Sequence, residues 1–278
     1  AAPEQVRAFA QYVRRARRWL VPYGLFEVCS EQCGGAPWWE WPEPLRNRSA
    51  PALRALVAAE KESFRAALFV QYLFDVQWTA LKHYANERGV HLFGDLPLYV
   101  DGNSVEVWRE PHLFRLDASG RPVAVGGVPP DYFNAHGELW GNPLYDWAAM
   151  RSEGFGWWLA RLAGQLARFD LVRIDHFRAL ESYWEIPYGA PTAREGVWRH
   201  GAGEELLSVL RARLGELPLV AEDLGIITDE VRALRDRFAL PGMVVLQFAF
   251  DGKPDNPHLP ANHPENGVAY TGTHDNDT

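Results

Sequence analysis

The period of the apolar positions changes along the chain and predicts helices first, then strands alternating with helices. Residues 4–20 read as a helix with a basic face, ended by Pro22. Residues 52–88 are rich in helix formers, turn Phe64, Leu68, Trp78 and Leu81 toward a core, and stop at Gly89. Between them, residues 34–51 combine six Gly and Pro with Trp38, Trp39 and Trp41. That mixture predicts an ordered loop, because a disordered one would lack the aromatics. Residues 90–95 read as a strand ending on Asp95. Residues 96–150 are irregular, with many Gly and Pro, and so long a connection in a compact domain is normally functional. The 3.6 period returns over 153–168 with Phe155, Trp158, Leu159, Leu162 and Leu166, and Ser152 stands as N-cap. Leu171, Val172 and Ile174 then form a short apolar strand, followed by a helix over 203–214 and a strand over 217–220. Thr228 caps a helix to about residue 240, 243–250 reads as a strand, and 268–270 as the last one.

Strand, helix, strand, helix, strand implies an α/β fold with parallel strands and right-handed crossovers. Four strands lead into polar residues: Asp95, Asp175-His176, Glu222-Asp223 and His274-Asp275. Acids at the C-terminal ends of buried strands are what a parallel α/β barrel presents to its active site. A doubly wound sheet would alternate similarly, but no glycine-rich phosphate loop follows a strand. Arg173 and Asp175 are two apart and share a strand face. They read equally as a structural ion pair and as active-site groups.

Composition narrows the function classes. The chain has 278 residues, 47% hydrophobic and 23% charged, enough for one sizeable core in one or two domains. A net charge of -8 argues against a nucleic-acid or anionic-membrane surface. No apolar run approaches the roughly 20 residues of a membrane span, and no signal peptide is visible. Cys29 and Cys33 read as reduced, cytoplasmic thiols, because two thiols alone make no zinc site. The chain starts without Met in what reads as helix and stops inside a motif, so it is expected to be a piece of a longer protein. Twelve Trp suit either a core or a set of platforms for sugar faces. Trp157, Trp158, Trp184 and Trp198 read as core, Arg14-Arg15 and Arg17-Arg18 as a solvated face, Asp223 as a local cap or pair, and His176 as an outer hydrogen-bond partner.

Acids converging on one mouth suit metal binding, proton abstraction or acetal cleavage. Metal binding needs several oxygen ligands, and proton abstraction a single base. Acetal cleavage needs one carboxylate as nucleophile and one protonated carboxyl as acid. Arg173 favours the charged form of Asp175, and Glu222, between Val220 and Leu224, is a candidate for desolvation and a retained proton. With the Trp-rich loops, this puts glycosyl chemistry narrowly ahead of a metal enzyme.

At these residues the sequence resembles the 4-α-glucanotransferases, or amylomaltases (glycoside hydrolase family 77, related to the α-amylases). The blocks are Gly94-Asp95-Leu96-Pro97-Leu98-Tyr99-Val100; Gly127-Val128-Pro129-Pro130-Asp131-Tyr132-Phe133 with Trp140-Gly141-Asn142-Pro143-Leu144-Tyr145; Arg173-Ile174-Asp175-His176-Phe177-Arg178; Ala221-Glu222-Asp223-Leu224-Gly225; and Gly272-Thr273-His274-Asp275-Asn276. All five stand in the family's order. The resemblance implies an incomplete (β/α)8 TIM barrel with inserted helical and loop subdomains. Residues 1–89 would be a helical segment, 90–278 barrel strands and helices, and 126–145 a loop over the glucan. It implies transfer of α-1,4-glucan segments between maltooligosaccharide, starch or glycogen chains, by a retaining mechanism without metal or organic cofactor. Asp175 is then the nucleophile, Glu222 the acid/base and Asp275 the stabiliser of the distorted sugar. Arg173, His274 and Asp95 contact the reacting sugar or the nucleophile, and Tyr132, Phe133 and Trp140 lie over the glucan. Glu138 stands where several relatives have Gln, and the first and last barrel strands are absent. An α-amylase-type hydrolase and a silent glucan-binding fragment are the rival readings.

Overall fold

The computed structural model describes residues 3–131 and 134–275. Helix α1 (Pro3–Gln32) runs straight through Pro22 instead of ending there. Its buried face, Tyr12, Ala16, Leu20 and Gly24, continues past the proline against a later helix, and that packing outweighs the one lost backbone hydrogen bond. The Trp-rich loop is ordered as expected, holds the short helix α2 (Glu43–Arg46), and buries Trp38 and Trp41. The single helix expected over 52–88 is two, α3 (Ala50–Ala59) and α4 (Lys61–Asn86), because Glu60 leaves helical dihedrals (φ −107°, ψ 40°). Leu68 is buried against α1, whereas Leu81 is exposed, contrary to its expected core position. Gly89, at φ 71°, supplies the left-handed turn that ends the helical segment.

Strand β1 (Phe93–Leu96) opens the second part. The long connection after it is structured: α5 (Val105–Arg109), β2 (Ala124–Val128), β3 (Glu138–Pro143) and α6 (Trp147–Ser152). Ser104 and Asp146 cap α5 and α6 through the amides of Val107 and Ala149. Ser152 closes α6 and does not cap the next helix, α7 (Gly156–Arg168), whose N-cap is Phe155 in the left-handed region. Then come β4 (Leu171–Ile174), β5 (Ser182–Pro187), β6 (Val197–His200), α8 (Gly203–Leu214), β7 (Leu219–Ala221), α9 (Asp229–Arg237), β8 (Gly242–Val245) and β9 (Gly267–Tyr270). The strand expected over 243–250 stops at Val245 and tightens into a 3-10 turn over Leu246–Ala249. No helix among the described residues is long and apolar enough to cross a membrane.

The architecture is mixed α/β. Parallel β1-β4-β7 and parallel β8-β9 follow the predicted alternation, and the Ala221 amide reaches Pro241 O at 2.8 Å, bringing β7 and β8 together. A second sheet, antiparallel β3-β2-β5-β6, was not expected. Neither parallel sheet closes on itself. Strands β4, β7 and β8 are almost wholly buried, β1 alternates exposed and buried positions and β9 is partly exposed; Val172, Ile174, Leu219 and Ala221 share one core with Trp41, Trp108, Trp158 and Phe177. Trp157 and Trp184 are partly buried, but Trp198 is exposed on β6 under the Arg178 guanidinium, 3.9 Å from its ring centre.

Gly94 shows how tightly helix and sheet fit. A Cβ there would sit 2.4 Å from the Phe169 ring, which Trp78 of α4 packs edge-on at 5.4 Å while Lys82 donates to the Phe169 carbonyl. Gly94→Ala should cost about 1–3 kcal/mol of stability by overpacking. Thermal or urea unfolding checks this, and an unchanged midpoint would contradict it.

Candidate active site

Register places the charged groups. Asp95 of β1 lies opposite Arg173 of β4, and Ile174 lies opposite Ala221 of β7. The ladder runs one step beyond the strands: the Asp175 amide bonds Leu96 O and the Glu222 amide bonds Ile174 O, each at 3.0 Å. Asp175 and Glu222 therefore leave adjacent strands at the same C-terminal end, where parallel neighbours are about 4.8 Å apart. Arg173 is nearly buried, at 8% side-chain exposure. Its Nη2 donates to Asp175 Oδ1, and its Nε lies 3.4 Å from Asp95 Oδ1; both carboxylates are about two-fifths exposed. Burial opposes the guanidinium charge, but the Asp175 hydrogen bond and the surrounding carboxylates outweigh it and hold the pKa above its ordinary value. Burial also raises Asp95, which Arg173 partly offsets.

Glu222 has a different environment. Its Oε2 accepts from the His176 amide at 2.8 Å and its Oε1 from the Leu224 amide at 2.9 Å. Burial, aided by the negative charge of Asp175, nevertheless raises its pKa from 4.5 to about 7, against these hydrogen bonds and Arg173. The two carboxyls at one mouth thus have different surroundings: Asp175 half-open and bonded to a guanidinium, Glu222 enclosed and holding its proton to near neutrality.

His176 takes a left-handed backbone (φ 51°), which aims its amide at Glu222. Its imidazole is held neutral, with a pKa lowered to about 3 by burial and by the charge of Arg178. Trp140 of β3 packs edge-on against that ring at 4.6 Å, and its indole N–H donates to Glu138 Oε2 at 2.9 Å. The β2–β3 hairpin is therefore anchored over the mouth. Beneath it, Arg178 is buried and ties three segments together, donating to Ser182 and to Ile226 O. Asp223 pairs with Arg235 of α9 and accepts from the Met243 amide of β8, the local role expected of it. Among the described residues no three His, Cys, Asp or Glu are grouped so as to hold a metal ion.

A family model described as 4-alpha-glucanotransferase matches residues 1–278. The chain belongs to the 4-alpha-glucanotransferase family. Among curated members, the 4-alpha-glucanotransferase of Thermus thermophilus is 52% identical over 280 residues, covering 100% of this chain and 56% of that protein. The Synechocystis member is 47% identical over 273 residues, covering 97% of this chain and 54% of the other. The solved amylomaltase of Streptococcus agalactiae in complex with acarbose superposes with a TM-score of 0.95 at 36% identity, over 99% of this chain and 56% of that one. The chain thus spans about half the length of the curated 4-alpha-glucanotransferases it matches.

Of the residues the sequence singled out, Asp95, Arg173, Asp175, Glu222 and Trp140 meet at this mouth. His274 and Asp275 follow β9, are exposed, and lie 3.4 Å apart. Their charges act on Asp95, which ties them to the same end of the sheet, but no hydrogen bond joins Asp275 to Asp175 or Glu222. Tyr132 and Phe133 lie outside the described residues. The groups that sequence reasoning missed are backbone amides, those of His176 and Leu224. It gave His176 an outer role, and no residue-type signal marks an amide donor; the register of β4 against β7 brings the His176 amide to Glu222, and a two-residue turn brings that of Leu224.

Proposed function

We propose that the complete gene product is a retaining 4-α-glucanotransferase. The observation that carries this is the opposed environment of two carboxyls on adjacent strand ends. A carboxylate oxygen of Asp175 attacks the anomeric carbon of an α-1,4-glucan while Glu222 gives its proton to the departing 4-oxygen. The glycosidic C–O bond breaks, a shortened glucan leaves, and the remaining segment is esterified to Asp175. Glu222, now ionised, takes the proton of an acceptor's 4-hydroxyl, which attacks the same carbon and frees Asp175. This needs the two carboxyls about 5–5.5 Å apart, which neighbouring positions on a parallel ladder support. Asp275 and His274 stabilise the distorted sugar, Arg173 and Asp95 orient the nucleophile and that sugar, and Tyr132, Phe133 and Trp140 cover the glucan. On this reading β1, β4, β7, β8 and β9 are an arc of a (β/α)8 barrel, 1–89 is its helical subdomain and 126–145 its covering loop. The substrates are maltooligosaccharides and starch or glycogen chains, and the protein works in the cytoplasm.

Incubating the complete gene product with maltotriose and separating the products tests this. A ladder of longer maltooligosaccharides plus glucose is expected. Steady growth of reducing ends without longer products would instead mark an α-amylase-type hydrolase. Retained glucan binding without products would mark a binding module.

Trp140→Ala opens the cover over the covalent intermediate. It should shift the products several-fold from longer oligosaccharides toward glucose and hydrolysis, because water then competes better with an acceptor sugar. The ratio of transfer to hydrolysis measures this, and an unchanged ratio would remove Trp140 from the role.

A further inference from the structure

A cleft of about 520 Å³ lies between α1, α4 and α7, away from the proposed acids. Trp78 Nε1 donates to Arg168 O at 2.9 Å and Lys82 Nζ to Phe169 O at 3.1 Å, so the cleft sits where the chain enters β4. Asp175 leaves β4 at its opposite end. Phe74 and Trp78, one helical turn apart, stack within 16° of parallel at 5.7 Å and form a flat apolar floor. Trp19 stands on α1 across the cleft. Phe74 and Trp19 are 45% and 39% exposed.

Two of the cations around these rings are paired with carboxylates, and a third, Arg168, donates to Gly164 O at 3.3 Å and lies 5.9 Å from the centre of the Trp19 ring. Arg15 Nη2 lies 3.1 Å from Asp75 Oδ2, and Lys82 lies 3.3 Å from Asp170 Oδ1. A phosphate or other strong anion would have to compete with those carboxylates at Arg15 and Lys82, which leaves it Arg168 alone. A neutral polyhydroxyl ligand would not, since its hydroxyls can both donate to Asp75 and accept from Arg15 while its C–H faces lie on the rings. The size falls within the range of small-ligand sites, about 300–1,000 Å³.

The cleft is also separate from the longer exposed apolar stripe of α4. Phe69, Leu73, Val76 and Tyr84 form an exposed stripe on the opposite side of the helix, by the 3.6 period.

We propose that the α1–α4–α7 cleft is a second carbohydrate site, which anchors an α-1,4-glucan segment away from the reacting bond. The inference rests on the glucan reading of the protein, and its test separates the two. Trp19→Ala and Phe74→Ala would be made in the complete gene product, since both side chains are substantially exposed. Retardation in native gels containing glycogen, maltotriose disproportionation and thermal unfolding would be measured on each. Glycogen retention should weaken about fivefold for each lost ring face, with the maltotriose rate and the unfolding midpoint nearly unchanged. Unchanged retention in both variants overturns the proposal. So does a lowered midpoint with unchanged retention, which would make the cleft a packing surface. Quenching of Trp fluorescence in the Asp175→Asn protein by inorganic phosphate or ATP, but not by maltoheptaose, would overturn it too. If the parent protein fails to disproportionate maltotriose, the reading of the acids fails, while the retention comparison still decides the cleft.

Discussion

Asp175→Asn should abolish maltotriose disproportionation, by about 10^4-fold or more, while the protein still folds and retains glucan. Removing a nucleophile that forms a covalent intermediate closes the route itself, and losses of that order follow in other nucleophilic enzymes. The fold should tolerate the amide: Asp175 is about two-fifths exposed and its backbone amide still bonds Leu96 O. Binding should survive because it rests on many contacts, of which the nucleophile is one. The loss of Asp175 charge leaves Arg173 with Asp95 as its remaining close carboxylate, so a small change in stability is expected. Product chromatography and a glucan-retention gel on the same preparation check both halves. Residual transfer above about 1% of the parent rate would remove Asp175 from the nucleophilic role.

The second large effect belongs to Glu222→Gln, which should lower turnover about 10²–10⁴-fold, the usual worth of a general acid. The loss should depend on the donor. A glucosyl fluoride needs no proton on its leaving group, so its first step should recover while transfer from maltotriose does not. The pH dependence carries the sign. Burial raises the Glu222 pKa from 4.5 to about 7, so the parent holds the required proton below neutrality and loses it as pH rises through about 7. Disproportionation should therefore fall above about pH 7, and Glu222→Gln should lack that limb. Linkage gives a companion result. A carboxyl whose folded pKa is raised stabilises the fold most fully below its unfolded pKa, and that contribution is lost between about pH 4.5 and about pH 7. The pH–rate profile and the pH dependence of unfolding test this together. A limb near pH 4.5 would mean that Glu222 is not held protonated.

Much of the site was legible because its residues obey local rules. Buried strands avoid charge, so Arg173 within an apolar run and Asp175 and Glu222 at strand ends stood out against their neighbours. Glycines were harder to read. Gly126 and Gly127 looked like loop residues, yet they lie in β2, where a Cβ would run into the Tyr99 ring and Glu138 O. Close approach of another strand selects glycine there, and a single sequence carries no sign of that neighbour.

The sequence by itself determined the alternation of strands and helices, the parallel β1-β4-β7 core and the acids at its C-terminal ends. It did so because hydrophobic period and buried charge are properties of neighbouring residues. Tertiary structure alone decided that α1 continues through Pro22, that a four-stranded antiparallel sheet forms around the glycines of β2, and that the His176 amide holds Glu222. Each of these depends on a partner distant in sequence: α4 for the proline, Tyr99 and Ile186 for the glycines, and the β4–β7 register for the His176 amide. The energy that selects them lies in packing and hydrogen bonding between segments, which no local pattern records.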